Sequence, residues 1–280
     1  MAPDMAKVCE LGHKDTKEVL AFLAVRPVHT VVMTSFINDN GLESELNRGK
    51  FYGYRNAAGT LEGVALIGHS TLVEARTAES LTAFARIAKE SSTPIHLIMS
   101  DGQAAESFWQ HYAAAGQQPR LTCTELLFEI NFPLLVQGCK WDVRLAQADE
   151  LEPVAEAHAA VALMESGVDP MAKDREGFLK RCARRIEKER TFVVFENGKL
   201  VFKADIVAET DDVIYLEGIY VSPEYRGHGV GSSCLAKLSL QLLERVEHIS
   251  LLSNVEFKAA HRSFAKAGYK NTDRCTTLFV

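Results

Sequence analysis

The chain has 280 residues, which at ~150 residues per domain suggests about two domains or one large one. A hydrophobic fraction of 47% and a charged fraction of 24% exclude a wholly disordered chain, and 18 Gly with 8 Pro exclude a collagen-like one. The net charge is −6 and neither half is basic, which argues against a general nucleic-acid binder.

The N-terminal run MAPDMAKVCELGHKD has acidic residues and no apolar core, so it does not read as a secretory signal. No stretch approaches ~18 consecutive apolar residues, so no membrane span is expected. Cys9, Cys123, Cys139, Cys182, Cys234 and Cys275 are scattered without a CxxC pair. That argues against a zinc ribbon or a disulfide framework and for reduced thiols in a cytoplasmic protein.

Residues 51–70 predict a strand, an Asn/Gly turn and a second strand. IHLIMS (95–100) predicts a strand, the alanine-rich stretch ending YAAAG (112–116) a helix, and LTCTELLFEI (121–130) another strand. NFPLLVQGCKW (131–141), with Pro133 and Gly138, is the expected junction, giving domains at 1–135 and 140–280. The second half predicts strand 141–146, helices 151–165 and 174–189, strands 191–196, 200–208 and 213–221, helix 229–246, strand 249–254, helix 257–267 and strand 274–280. In helix 229–246, Val230, Cys234, Leu235, Leu238, Leu242, Leu243 and Val246 recur at helical spacing, so one face is buried. Strands mixed with helices mean an α/β or α+β layered fold.

The halves echo each other. Tyr112, Gly116 and Cys123 in the first are followed 152 residues later by Phe264, Gly268 and Cys275. A hairpin at 191–210 matches the one at 51–70 in kind, but at a shorter offset, so the first half lacks roughly 15 residues between its hairpin and its later strand. The order of features suggests a duplicated unit.

The richest segment is YLEGIYVSPEYRGHGVGSS (215–233). A strand ends near Val221, and Arg226-Gly227-His228-Gly229-Val230-Gly231-Ser232 leads into a long helix. Glycines there let backbone approach a ligand closely, and the helix-start N–H groups favour an anion such as a diphosphate. Arg226 adds a charge-assisted contact. A Walker loop would need GxxxxGK[ST], and a dinucleotide fingerprint would need Gly where Ser232 stands and an acid where Asn254 stands. The pattern [Q/R]xxGx[G/A] is met by Arg226, Gly229 and Gly231.

At these residues the second half resembles the GNAT superfamily of acyl-CoA-dependent N-acetyltransferases. IYVSPEYRGHGVG is similar to the family's central strand and pyrophosphate loop, and LLSNVEFKAAHRSFAKAGY to its later strand, Asn and Ala-rich helix. DP (169–170), GFLKR, RIEKER and LVFKAD further resemble a bacterial tandem subgroup, with the first half a degenerate repeat. The resemblance implies two GNAT-like domains, each a mixed, mainly antiparallel central sheet flanked by helices.

It also implies acetyl-CoA as cosubstrate, no metal, and a small-molecule or protein amine as acceptor. Backbone groups of Ile219, Tyr220 and Val221 would hold the pantetheine arm and the thioester carbonyl. The N–H groups from Gly227 through His228, Gly229, Val230 and Gly231 to Ser232 would cradle the pyrophosphate, and Asn254 would contact the pantetheine. The stretch missing from the first half falls at this loop, so one cofactor site per chain is expected, with the first domain structural.

Glu217 is the candidate base, because an acid flanked by Leu216 and Gly218 on a central strand asks for a reason. The Val221 N–H is the candidate polarising group. The chain departs from the family at Phe264, where a Tyr usually protonates the leaving thiolate; a phenyl ring can only pack there. That departure motivates a rival, a non-catalytic acyl-CoA sensor. A nucleotide-binding domain is the other rival. Neither nucleic acid nor a membrane is expected as a partner. The oligomeric state stays open, since an exposed strand edge would allow a homodimer.

Overall fold

The computed structural model describes residues 4–134 and 139–280, so part of the expected junction, residues 135–138, lies outside the described residues. The chain divides into two compact units, Met1–Leu126 with Asp273–Val280, and Leu127–Thr272. The first holds β1 (Val8–Glu10), α1 (Thr16–Leu23), α2 (Pro27–Asn40), β2 (Gly49–Arg55), β3 (Leu61–Gly68), β4 (Ser70–Ala75), α3 (Ala78–Glu90), β5 (Leu97–Asp101) and α4 (Gly102–Tyr112). β6 (Leu121–Ile130) runs from the first unit into the second. The second holds β7 (Arg144–Leu145), α5 (Leu151–Ser166), α6 (Pro170–Glu187), β8 (Thr191–Glu196), β9 (Lys199–Glu209), β10 (Val213–Val221), α7 (Val230–Leu242), β11 (His248–Asn254) and α8 (Lys258–Lys266). β12 (Lys270–Phe279) starts in the second unit and ends in the first.

In the first unit the strand order is β1-β2-β3-β4-β5-β12. All of these pairs are antiparallel except β4 with β5. The predicted turn at Asn56–Gly59 is closed by the Asn56 side chain, which accepts from Ala58 N and Thr60 N, and by Gly59 at φ +81. Side chains alternate across a strand, and β3 is covered on both faces. Val64 and Leu66 pack with Val19, Leu23 and Ile37 of α1 and α2. Ala65 and Ile67 pack with Leu81, Phe84 and Phe108 of α3 and α4.

In the second unit the order is β6-β11-β10-β9-β8-β7. β10 and β11 are parallel, and β7 through β10 pair antiparallel in sequence. The β8–β9 hairpin turns on Asn197 and Gly198, both at positive φ, the two-residue Asn-Gly loop that matches strand twist. Val154, Ala157 and Ile186 of α5 and α6 pack on Val193 and Leu200. On α7, Cys234, Leu235, Leu238 and Leu242 are buried, as their spacing predicts.

Several elements differ from expectation. The strand expected at 141–146 is a ladder at Arg144–Leu145 alone. The chain before it is tied to α7 instead, by Lys237 Nζ donating to Trp141 O at 2.6 Å. The helix expected from 174 begins at Pro170, capped by Asp169, and breaks at Asp174 (φ −158, ψ 79). Asp174 then accepts from Gly177 N at 2.9 Å and caps the second run. α7 ends at Leu242, not 246, because Glu247 and His248 donate their N–H groups to Asp212 O and draw the chain into β11.

The last strand's partner is the largest difference. Residues Cys275 to Phe279 of β12 pair antiparallel with Asp101 to Leu97 of β5, so the C-terminal eight residues belong to the first unit and not to a unit spanning 140–280. Among the described residues, no two cysteines are joined by a disulfide. Among the described residues, no helix is long and apolar enough to cross a membrane, and no group of three or more His, Cys, Asp or Glu side chains is placed to hold a metal.

Candidate functional site

The site is built around a defect in the sheet. β10 pairs with β11 only over Val213–Leu216 against His248–Leu251. Beyond Leu216 the two strands no longer share a ladder. On the other side, β10 slips against β9: Glu217 faces Asp205, but Tyr220 faces Lys203, so Gly218 and Ile219 together oppose one residue. Gly218 sits at φ +59, and a Cβ there would lie 2.9 Å from Lys203 Nζ. Both the left-handed backbone and the close lysine favour glycine in this bulge.

After β10, Pro223–Tyr225 form a single turn and the chain enters the glycine loop. Arg226 Nε donates to Val221 O at 2.9 Å, and its guanidinium lies 5.9 Å from the Tyr220 ring centroid. Gly227 and Gly229 have φ of +80 and +78 with open space around each, so backbone conformation, not crowding, selects glycine. At Gly231 the reason is different: an added Cβ would come within 3.1 Å of Val221 Cγ2, where α7 approaches β10. α7 starts at Gly229 without any side-chain cap. The N–H groups of a first helical turn have no intrahelical acceptor, and the dipole there favours an anion.

A cleft of about 660 Å³ opens at this point. Ile219, Tyr220, Val221, Arg226, Gly227, Gly229, Val230, Gly231, Ser232 and Phe264 all line it. Its other charged lining residues are Lys258, Arg262, Lys266 and Glu256, so with Arg226 four cations face one acid. Val161 and Met164 of α5 supply an apolar rim.

Three sequence-predicted residues lie outside that lining. His228 is exposed within the loop. Asn254 ends β11, where its Oδ1 accepts from Glu256 N and its carbonyl accepts from Phe257 N and His261 Nε2, shaping the turn into α8. Glu217 is half-buried on β10 opposite Asp205. Burial pushes its carboxyl above the usual range, against a hydrogen bond from Tyr215 and the charges of Arg185 and Lys203. Phe264, 6% exposed, packs edge-on to Phe128 with ring centroids 5.4 Å apart.

Beneath the bulge lies a buried charged cluster that sequence reasoning did not single out. Lys203 and Asp205 on β9 are both fully buried, and Lys203 Nζ donates to Asp205 Oδ2 and, at 3.2 Å, to Gly218 O. Arg185 of α6 donates to Asp205 Oδ2 at 2.8 Å, and Thr191 Oγ1 donates to Asp205 Oδ1 at 2.8 Å. His158 of α5 stacks on Phe178 with its Nδ1 3.4 Å from Asp205 Oδ2. Burial works to raise the Asp205 carboxyl, but Lys203 and Arg185 outweigh it and leave it at about 2. Burial, with Lys203, lowers His158 to about 3, so its ring is neutral at pH 7. Burial also lowers Lys203, against the pull of Asp205. The available signal was a Lys and an Asp two apart in LVFKADIVA, a stretch otherwise apolar on both faces.

Comparison with known proteins bears on the family and on the fold. Residues 156–269 match the family model described as acetyltransferase (GNAT) family. A comparison with curated proteins gives no match. Among solved structures, a GNAT-family acetyltransferase from Colwellia psychrerythraea is similar over 98% of this chain and 99% of its own, at 15% identity and a TM-score of 0.58. A Drosophila protein is similar over 98% of each chain at 12% identity and a TM-score of 0.71. A tandem GNAT protein from the clavulanic acid biosynthesis pathway is similar over 97% of this chain and 98% of its own, at 12% identity and a TM-score of 0.57. At these identities the likeness is one of fold.

Proposed function

Since residues 156–269 belong to the GNAT acetyltransferase family, we propose that the second unit binds acetyl-CoA in the cleft beside β10 and transfers its acetyl group to an amine in a ternary complex. The observation that carries this reading is the convergence of the split between β10 and β11, the glycine loop and the uncapped start of α7 on one electropositive cleft. The residues present fit the group. Arg226, Lys258, Arg262 and Lys266 suit a polyanion, and the α7 start suits its diphosphate. Bound acetyl-CoA supplies an electrophilic thioester with a thiolate leaving group.

In this reading the protein does the rest. The Ile219–Val221 backbone orients the acyl arm, and the Val221 N–H polarises the thioester carbonyl. Glu217, directly or through one water, takes the proton that the attacking amine must lose. Its raised carboxyl suits it to act as a base near neutral pH. As the new C–N bond forms the C–S bond breaks, and because Phe264 has no proton to give, water protonates the thiolate. Phe264 also favours a second reading, an acyl-CoA sensor without turnover. Among the described residues, the first unit has only Arg76 and Thr77 between β4 and α3 where the second has the loop, so one cofactor site per chain belongs to the same proposal.

The test is thermal unfolding with acetyl-CoA, CoA, NAD and ATP, alongside Gly229→Glu. A ligand at 100 times its dissociation constant stabilises by about 2.7 kcal/mol. A shift with acetyl-CoA and CoA that disappears in the variant is expected, followed by thiol release in an amine screen. Stabilisation by NAD or ATP alone would move the protein to another class, and binding without thiol release across the screen would favour the sensor.

A further inference from the structure

We propose that Lys203 is a positioning residue for the cleft: its buried ammonium, anchored on Asp205, holds the carbonyl of Gly218 and so fixes the bulge that sends Ile219, Tyr220 and Val221 into the site. This rests on the acyl-CoA reading of that cleft.

Four observations carry it. Lys203 is fully buried on a strand whose neighbours are apolar, a position where a well-packed hydrophobic side chain costs less. Asp205 does not need it for compensation, since Arg185 Nη1 and Thr191 Oγ1 each reach a different carboxylate oxygen at 2.8 Å. The ammonium has three protons; two of them go to Asp205 Oδ2 and to Gly218 O. The carbonyl it reaches belongs to the residue at φ +59, within the register shift that separates the Glu217–Asp205 pair from the Tyr220–Lys203 pair. Asp205 therefore aims Lys203, and Lys203 aims the strand.

The first unit provides an internal contrast. Its equivalent ladder, β3 with β4, pairs Gly63, Val64, Ala65 and Leu66 with Ala75, Glu74, Val73 and Leu72 without a shift. β3 carries no lysine at all, and no cleft residue follows β4. The shift and the buried lysine occur together on the β9–β10 ladder, and neither occurs on the β3–β4 ladder.

The experiment measures acetyl-CoA affinity by calorimetry and the unfolding midpoint for the unaltered protein, Lys203→Met, Gly218→Ala and Thr191→Val. Lys203→Met keeps the side-chain length and leaves Asp205 paired with Arg185. Gly218→Ala disturbs the same contact from the backbone side and decides the matter if Lys203→Met does not fold. Thr191→Val removes another buried bond to Asp205 without touching Gly218. The expected result is acetyl-CoA binding weakened about tenfold in the first two variants, the loss of one hydrogen bond's worth of positioning, with the affinity of Thr191→Val unchanged although its midpoint falls. Unaltered affinity in Lys203→Met or Gly218→Ala overturns the proposal, as does an equal loss in Thr191→Val, which would mark a general effect of the fold. If the unaltered protein itself does not bind acetyl-CoA, the function proposed for the cleft fails; if it binds and the variants match it, the Lys203 assignment alone fails.

Discussion

The two halves each carry a strand that leads into a helix, and they treat the junction in opposite ways. Between β4 and α3 lie two residues, Arg76 and Thr77. Thr77 Oγ1 accepts from Ser80 N at 3.1 Å and Ser80 Oγ accepts from Thr77 N at 3.4 Å, so the helix start is closed by its own side chains. Between β10 and α7 lie eight residues from Ser222 to Gly229, and α7 has no side-chain cap. The first junction follows a regular ladder in which Glu74 pairs with Arg26; the second follows a bulge over a fully buried Lys203–Asp205 pair. Two units of like strand order thus differ at one junction by the length of a loop and the cap of a helix.

The sharpest way to break the comparison is at the charge cluster, where β9 carries a fully buried lysine and aspartate, whereas Glu74 of β4 pairs with the partly exposed Arg26. Asp205→Asn leaves Lys203 and Arg185 without their carboxylate. Removing one partner of a buried ion pair costs about 3–5 kcal/mol, and denaturant unfolding should show a loss of that order. A loss below about 1 kcal/mol, the scale of an exposed ion pair, would mean that the cluster is not a buried network.

The same cluster sets an acid dependence. The ring of His158, 19% exposed, is held neutral by burial with Lys203 and Arg185 and Arg181 adding to that effect, while Asp205 opposes. Its value falls from 6.5 to about 3, so on acidification the unfolded chain takes a proton before the folded one does. The stability this provides is complete above the unfolded value and is lost progressively as pH falls from 6.5 toward 3, with a limiting slope of about 1.4 kcal/mol per pH unit. Asp205, lowered from 3.8 to about 2, adds a second loss below pH 3.8. Unfolding measured between pH 7 and pH 4 should show the first slope, and His158→Gln should flatten it. An unchanged slope in that variant would place the titration elsewhere.

How much of this was legible follows from the range of the interactions. β8 and β10 fall at their expected limits because Asn197-Gly198 closes the one and apolar residues on either side of Glu217 and Gly218 mark the other locally. The cleft's glycine loop was legible for the same reason: left-handed Gly227 and Gly229 are a local demand on the backbone. The partner of β12 was not, since pairing of Cys275 with Asp101 joins residues far apart in the chain and leaves no local trace. Lys203 and Asp205 were visible as charges in an apolar strand, but their meaning depends on Arg185, Thr191 and Gly218, which converge only in the folded unit.

A smaller effect tests the open junction. Gly229→Ala forces a Cβ into a left-handed conformation, at about 1–2 kcal/mol, although no neighbour lies within 4 Å. The unfolding midpoint should fall accordingly. Because the added methyl group meets open space, acetyl-CoA affinity should fall far less than in Gly229→Glu, whose carboxylate would repel the diphosphate. Equal losses would mean that loop conformation, not access to the α7 start, governs binding.

The smallest expected effect tests the closed junction. Thr77→Ala removes the cap of α3 and, with no ligand to take its place, leaves the Ser80 N–H without its acceptor. Loss of such a cap costs about 1 kcal/mol. The midpoint should drop by that amount while acetyl-CoA affinity stays at the unaltered value, because in the reading proposed here the first junction holds no cosubstrate. If affinity fell with the cap, the assignment of the cosubstrate to the second unit alone would fail.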